Sequence, residues 1–233
     1  MTLLTLTQDA ADQLGIVRPS TVYGNAAAEV RKLLRYANQA GKHLCKMDWQ
    51  ELRSEKTFTS LAQETQTAMV ATDLDHFVDE TFWNRTRKRP IYGPKTPQEW
   101  QAIKGSVSSA VVDTFTYRGS DILINPTPTA GHTFAYEYIS NKFCESSGGT
   151  AQAAWAADTD VARISEELFT LEIVWRYKHG EGLPYQDDFN ICEDFKKKLY
   201  GQDSPRRTLS MSSNRLIWPG TPGVVVPEGS WSL

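Results

Sequence analysis

Residues 158 to 185, DTDVARISEELFTLEIVWRYKHGEGLPY, read as a helix with both ends marked, and such a segment commits the chain to burying one of its faces against other elements. Val161, Ile164, Leu168, Leu171 and Trp175 recur at spacings of three and four, which places five apolar side chains on one side. Asp158 or Thr159 is positioned to accept from the first free amides, and Asp160 adds negative charge where the helix dipole favours it. Lys178 and His179 close the helix ahead of the stop signals Gly180, Gly182 and Pro184. The expected element is a core helix whose chemistry is packing.

A helix of this kind needs partners, and the sequence offers them at both ends of the chain. Phe189, Cys192, Phe195 and Leu199 form one stripe of a following helix, with Gly201 beyond it. Near the start, Thr7 to Leu14 predicts a short helix broken by Gly15 and Pro19. Asn25 is placed to cap a second one that turns Val30, Leu33, Leu34, Ala37 and Leu44 inward, with Gly41 at a bend or close contact.

Between these helices the period falls to two. Residues 53 to 78 suggest short strands holding Phe58 and Met69. Phe115 and Tyr117 precede the turn Arg118-Gly119-Ser120-Asp121, Ile122 and Ile124 follow it, and after the wider turn Asn125 to Gly131 the run His132 to Ile139 puts Phe134, Tyr136 and Tyr138 on one face. The expectation is a three-stranded antiparallel meander. Thr96 as cap and Pro97 at the first position predict a short helix before it.

Residues 202 to 233 lack periodicity and hold Pro205, Pro219, Pro222 and Pro227, so they read as an extended arm. Leu216, Ile217, Trp218, Val224, Val225, Val226 and Trp231 are more apolar than a free tail would carry, so the arm is expected to dock on its own domain or on a neighbour.

A 233-residue chain with 40% hydrophobic content can bury a core as one large domain or two small ones. No apolar run is long enough to span a membrane, and the start, MTLLTLTQDAADQLG, lacks the basic flank of a signal peptide, so the expected setting is a reducing cytoplasm. Cys45, Cys144 and Cys192 then read as small core residues, and the sequon Asn84-Arg85-Thr86 as chance. A net charge of −3 gives no global pull toward nucleic acid. Two local basic runs stand out: Arg85, Arg87, Lys88 and Arg89 before Pro90, and Lys196 to Lys198 followed by Arg206 and Arg207.

Little points to catalysis. Asp73, Asp75, His76, Asp79 and Glu80 form the one dense titratable cluster, but their spacing fits no ligand signature and they read as a solvated acidic loop. His43 and Cys45 have no second pair at zinc spacing, and His132 reads as a surface or packing residue. Phosphate-loop, dinucleotide, HExxH and GxSxG motifs are absent from the sequence, so neither an enzyme nor a cofactor is expected. Trp49, Trp83, Trp100 and Trp175 sit in apolar contexts and suggest core or subunit contact rather than base stacking.

The order of several blocks resembles the head-to-tail adaptor, or connector, family of short-tailed phages, the tail tubular protein A-like proteins. The blocks are Ala40-Gly41-Lys42, Asp48-Trp49-Gln50, Trp83-Asn84-Arg85-Thr86, Gly93-Pro94, Pro97-Gln98-Glu99-Trp100 and Pro126 to Gly131. They continue with Phe134 to Tyr138, Asp158-Thr159-Asp160, Trp175-Arg176-Tyr177-Lys178 and Val226 to Trp231. No block encodes a reaction; the likeness lies in their order along almost the whole chain. Ser147-Gly148-Gly149 stands where the family usually has a short Asp-Gly turn.

The resemblance implies an α+β fold: a helical bundle from residues 1–52 and 158–201, a β-rich insertion over 53–157 with a short helix near 96–104, and the arm at 202–233. It implies a structural virion protein in the neck or tail of a phage particle, made in the host cytoplasm, whose ring of about twelve copies joins the portal protein to the tail nozzle protein. Genomic DNA would pass through the ring without specific binding, since about twelve copies at −3 would carry roughly −36. Expected portal or neighbour contacts are Arg206, Arg207, Leu216, Ile217, Trp218, Val224, Val225, Val226 and Trp231, and Arg85, Arg87, Lys88 and Arg89 form an expected basic interface patch. The alternative is a nucleic-acid-binding module using the basic runs at 85–89 and 196–207.

Overall fold

Thr2 opens the first helix by accepting from the amide of Thr5, and Gly15, at φ 67, closes it with its own amide turned back to Ala11 and Asp12. This helix, α1, spans Leu3–Leu14, longer at its start than the sequence suggested, and α2 follows at Ala28–Leu44. A computed structural model describes residues 1–105 and 112–203 of the chain. Within them come β1 (Arg53–Thr59), β2 (Thr65–Gln66), β3 (Leu74–Phe77), β4 (Trp83–Asn84), β5 (Arg89–Pro90) and α3 (Pro97–Gly105). Then follow β6 (Thr114–Arg118), β7 (Asp121–Asn125), β8 (Thr133–Ser140), β9 (Cys144–Glu145), β10 (Ala151–Gln152), β11 (Val161–Ala162), α4 (Glu166–Gly180) and α5 (Gln186–Asp203). The fold is mixed α+β, with five α-helices and antiparallel sheets among the described residues. No described helix is long and apolar enough to cross a membrane.

Two hydrophobic clusters organise the chain. In the first, α4 packs against α1, α2 and α5. Leu3, Leu6, Leu33, Leu44, Leu168, Phe169 and Ile173 are buried there together with Phe143, Cys144 and Trp155 from the chain between β8 and β11. The rings of Phe143, Trp155 and Phe169 meet pairwise at 5.8 to 6.1 Å. Gly41 brings α2 close to this triad, because a Cβ there would strike the Phe143 ring. The second cluster is aromatic: Phe58, Phe82, Phe115, Phe134, Tyr136 and Tyr138 pack between the sheets, and Phe82 meets Phe115 edge-on at 4.5 Å.

The helix expected over 158–178 begins only at Glu166, beyond Val161 and Ile164 of its apolar stripe. Asp158 accepts from the amides of Val22 and Tyr23 at 2.7 to 3.2 Å, and Asp160 from those of Ala156 and Ala157, so both acids satisfy loop amides instead of helical ones. Val161–Ala162 pairs with β9 as a strand. The helix is also buried on more than one side: Phe169, Ile173, Val174 and Tyr177 are in the core, whereas Leu171 and Trp175 are only half-buried.

The meander is corrected as well. β6 and β7 form the expected hairpin, but β7 gives its other edge to β2, and β8 belongs to a different sheet. There β1 runs along the length of β8 on one edge, while β4 and β3 share the other. A loop as wide as Asn125 to Gly131 does not enforce pairing of the strands it joins. Met69 lies outside any strand and instead accepts through its carbonyl from the Tyr136 hydroxyl. Ala27, not Asn25, occupies the cap position of α2; the Asn25 side chain accepts from the Ala27 amide. Gly201 lies inside α5 rather than after it. Thr96 and Glu99 do form a reciprocal capping box on α3, and all three cysteines are buried and free.

Candidate functional site

The basic run at 85–89 is a four-residue turn, Arg85 to Lys88, between β4 and β5. The side chain of Asn84, itself 1% exposed, accepts from the Arg87 amide at 3.0 Å. The Arg85 amide donates to the Thr133 carbonyl at 2.8 Å, and the Thr133 amide donates to Thr86 Oγ1 at 2.9 Å. The turn is therefore laced to Thr133 of β8 by two hydrogen bonds. Arg85, Arg87, Lys88 and Arg89 are all exposed. The Arg85 guanidinium is engaged by Glu55 at 2.6 Å, and Arg87 reaches Thr129 Oγ1 at 3.4 Å. Among the described residues Arg87, Lys88 and Arg89 form no ion pair, so a rigid hairpin projects three free cations able to attract anionic groups.

The second basic run is divided by the fold. Lys197 and Lys198 are exposed, but Lys196 is 5% exposed and its ammonium lies 3.2 Å from Glu172 Oε1 and against Glu193. Arg206, Arg207, Leu216, Ile217, Trp218, Val224, Val225, Val226 and Trp231 lie outside the described residues.

Lys196 belongs to a buried network that the sequence reading missed. Glu172, fully buried on α4, receives Arg176, the Trp175 indole N–H at 3.0 Å, Lys196 from α5 and His43 Nδ1 from α2 at 3.3 Å. Burial lowers the Arg176 guanidinium to about 10, which leaves it charged at neutral pH. Burial and then the charges of Lys196 and Arg176 push the His43 pKa down, so neutral His43 offers its Nδ1 proton to the carboxylate. One sequence signal existed: Glu172 and Arg176 are four apart within a helix assigned wholly to packing.

The acidic cluster is not a solvated loop. Asp79 and Glu80 are exposed, but Asp73 accepts from the hydroxyls of Tyr138 and Ser140 at 2.9 and 2.8 Å. Burial works against the Asp73 charge, yet those two hydroxyls, a backbone hydrogen bond and the charge of Lys142 together hold its pKa below the usual carboxylate value. Asp75 takes Lys46 and His76, and His76 also takes Asp48. His132 donates its amide to Ser60 and meets the Asn84 side chain, a packing role. Trp49 and Trp100 are buried and Trp83 and Trp175 half-buried.

Two surface depressions accompany these groups. One of about 350 Å³ lies among Trp49, Arg163 and Leu199, and one of about 420 Å³ lies over Trp83 and Ala135 beside Glu55, Arg85 and Glu137. Among the described residues, no three His, Cys, Asp or Glu side chains are arranged to hold a metal ion. No protein-family model matches the chain, and no curated protein matches it either.

Proposed function

We propose that the chain is a structural ring subunit of a phage particle, a head-to-tail adaptor that joins the portal to the tail nozzle and continues the DNA channel. The observation that carries this reading is the ordered set of sequence blocks running from Ala40 to Trp231. Several of these blocks occupy positions that hold the fold together: Gly41 lies against Phe143, Trp49 is in the first cluster, Phe134, Tyr136 and Tyr138 are in the second, Trp100 is buried, Glu99 completes the cap with Thr96, and Asp158 holds the amides of Val22 and Tyr23. The likeness therefore concerns the scaffold of both clusters and not one loop.

In this reading α1, α2, α4 and α5 form the helical bundle, and the strands between them form the insertion that it carries. Ring closure by head-to-tail contacts repeats the same two patches around the circle, so a modest interface is multiplied. The basic turn at 85–89 faces a protein partner, and the arm, which starts after Asp203 and not at residue 202 because α5 continues that far, reaches the portal or a neighbouring subunit. Native mass measurement of the full chain with and without portal rings tests the proposal. The expected species is a portal ring carrying about twelve added copies. Portal rings that gain no mass with the chain in excess would overturn it.

A further inference from the structure

α2 sorts its cations by face. Its apolar side chains Val30, Leu33, Ala37, Ala40 and Leu44 are buried, and Lys32 on the flank pairs with Glu181 at 2.5 Å. Arg31, Arg35 and Lys42 are exposed on the opposite side. At about 100° per residue these three fall within an arc of about 40°, and at about 1.5 Å per residue they extend over about 16 Å. Exposed Gln39 lies on the same side, and Glu29, the acid of this helix, points nearly the opposite way. Among the described residues none of Arg31, Arg35 and Lys42 forms an ion pair.

We propose that this stripe is a contact surface for the phosphate backbone of duplex nucleic acid. A duplex carries one charge per about 1.7 Å of axis, so a stripe of about 16 Å faces a dense row of phosphates. Protein interfaces centre on fully buried aromatic and aliphatic anchors. The stripe has none: its exposed side chains are Ala28, Arg31, Arg35, Gln39 and Lys42. Glycine and small residues on the inner side, Ala37, Ala40 and Gly41, hold the helix close against the core, so the cations are presented from a fixed rod. The contact reads no sequence, because it reaches phosphates and not base edges. The inference stands whether or not the chain assembles into a ring, and it needs no residue of the 85–89 turn.

The test is binding of the full chain to a fluorescent duplex over a salt series. Three phosphate contacts give a slope of about −2.7 in log K against log salt, a loss of about 40-fold between about 50 and 200 mM. Arg31→Glu, Arg35→Glu and Lys42→Glu together should abolish the binding. A variant with the same net charge, Lys95→Glu, Arg118→Glu and Lys142→Glu, should keep most of the slope. Matching circular dichroism and thermal melts establish that both variants fold. No binding by the wild type at about 50 mM salt, or an equal loss in the two variants, overturns the proposal. So does a stripe variant that fails only to join portal rings while the wild type ignores DNA, since the surface would then serve an acidic protein.

Discussion

His76 Nε2 lies 2.6 Å from Oδ1 of Asp48, and this contact ties the second cluster to the first. Asp48 follows α2, whereas His76 stands on β3 at the edge of the aromatic sheet. The other ring nitrogen lies 2.9 Å from Asp75 Oδ2, and Asp75 in turn takes Lys46. An imidazole with a carboxylate at each nitrogen satisfies both only when doubly protonated. Burial opposes that charge, but the hydrogen bonds His76 donates to Asp48 and Asp75, together with the negative charges of those two carboxylates, outweigh it and raise the His76 pKa above its ordinary value.

The raised pKa fixes the sign of a pH dependence. The imidazolium contributes stability that is fully present below about pH 6.5, the unfolded value, and is lost as pH rises through the folded one. His43 works the other way: its lowered pKa gives stability that is present above about pH 6.5 and lost as pH falls through its folded value. Urea unfolding of His76→Gln should therefore lose the decline on the alkaline side, and His43→Gln the decline on the acid side. At pH 6 the His76 variant should be weaker by about 1–2 kcal/mol, the low end for charged hydrogen bonds because the ring keeps 33% exposure. An unchanged alkaline limb in His76→Gln would contradict the assignment.

Much of this fold is legible in the sequence where local rules decide. The Phe115 to Ile124 hairpin and the Thr96 cap of α3 each follow from a few adjacent residues, whereas Gly41 reads as a bend or a close contact because its partner, Phe143, lies far along the chain. What was not legible depends on partners distant in sequence. Asp158 looked like a helix cap because its true partners, the amides of Val22 and Tyr23, lie more than a hundred residues away. The burial of Lys196 is not legible because Glu172 is on another helix, and the true partners of β8 are not legible because β1, β3 and β4 take its edges from far upstream. Among the candidate contacts, the Arg85 to Arg89 turn was visible as a charge run, but the lacing by Asn84 and Thr133 that makes it rigid was not.

Gly41→Ala isolates close packing from backbone effects. Gly41 lies inside α2, where alanine is the better helix former by about 1 kcal/mol, so propensity alone predicts stabilisation. The added methyl would strike the Phe143 ring, and overpacking costs about 1–3 kcal/mol. The expected result is a lower midpoint in thermal unfolding, recovered at least partly by Phe143→Leu in the same chain. A more stable single variant would show that the helix can shift away from Phe143 without penalty.

Removal of residues 205 to 233 tests the arm. Burial of Trp218, Trp231 and the Val224 to Val226 run against a partner should contribute several kcal/mol at about 25 cal/mol per Å² before ordering costs. The shortened chain should unfold at an unchanged temperature, yet fail to join portal rings in native mass spectra. Retained docking would remove the arm as the main anchor.

Glu172 separates the cost of breaking a buried charge network from its net contribution. Glu172→Gln leaves Arg176 and Lys196 facing a neutral amide where both are nearly fully buried, and loss of one member of such a set costs about 3–5 kcal/mol. Replacing all three, Glu172→Met with Arg176→Leu and Lys196→Met, removes the charges together and should be close to neutral or stabilising, since desolvation no longer opposes folding. Glu193 then loses its lysine, and the Trp175 indole and His43 lose their acceptor, but Glu193 and Trp175 are half-buried and His43 is exposed, so water can take over at all three. Urea unfolding of the two variants at pH 7 gives the comparison. If the triple variant is as unstable as Glu172→Gln, the network is a net source of stability for the contacts of α4 with α2 and α5 and not only a constraint on their register.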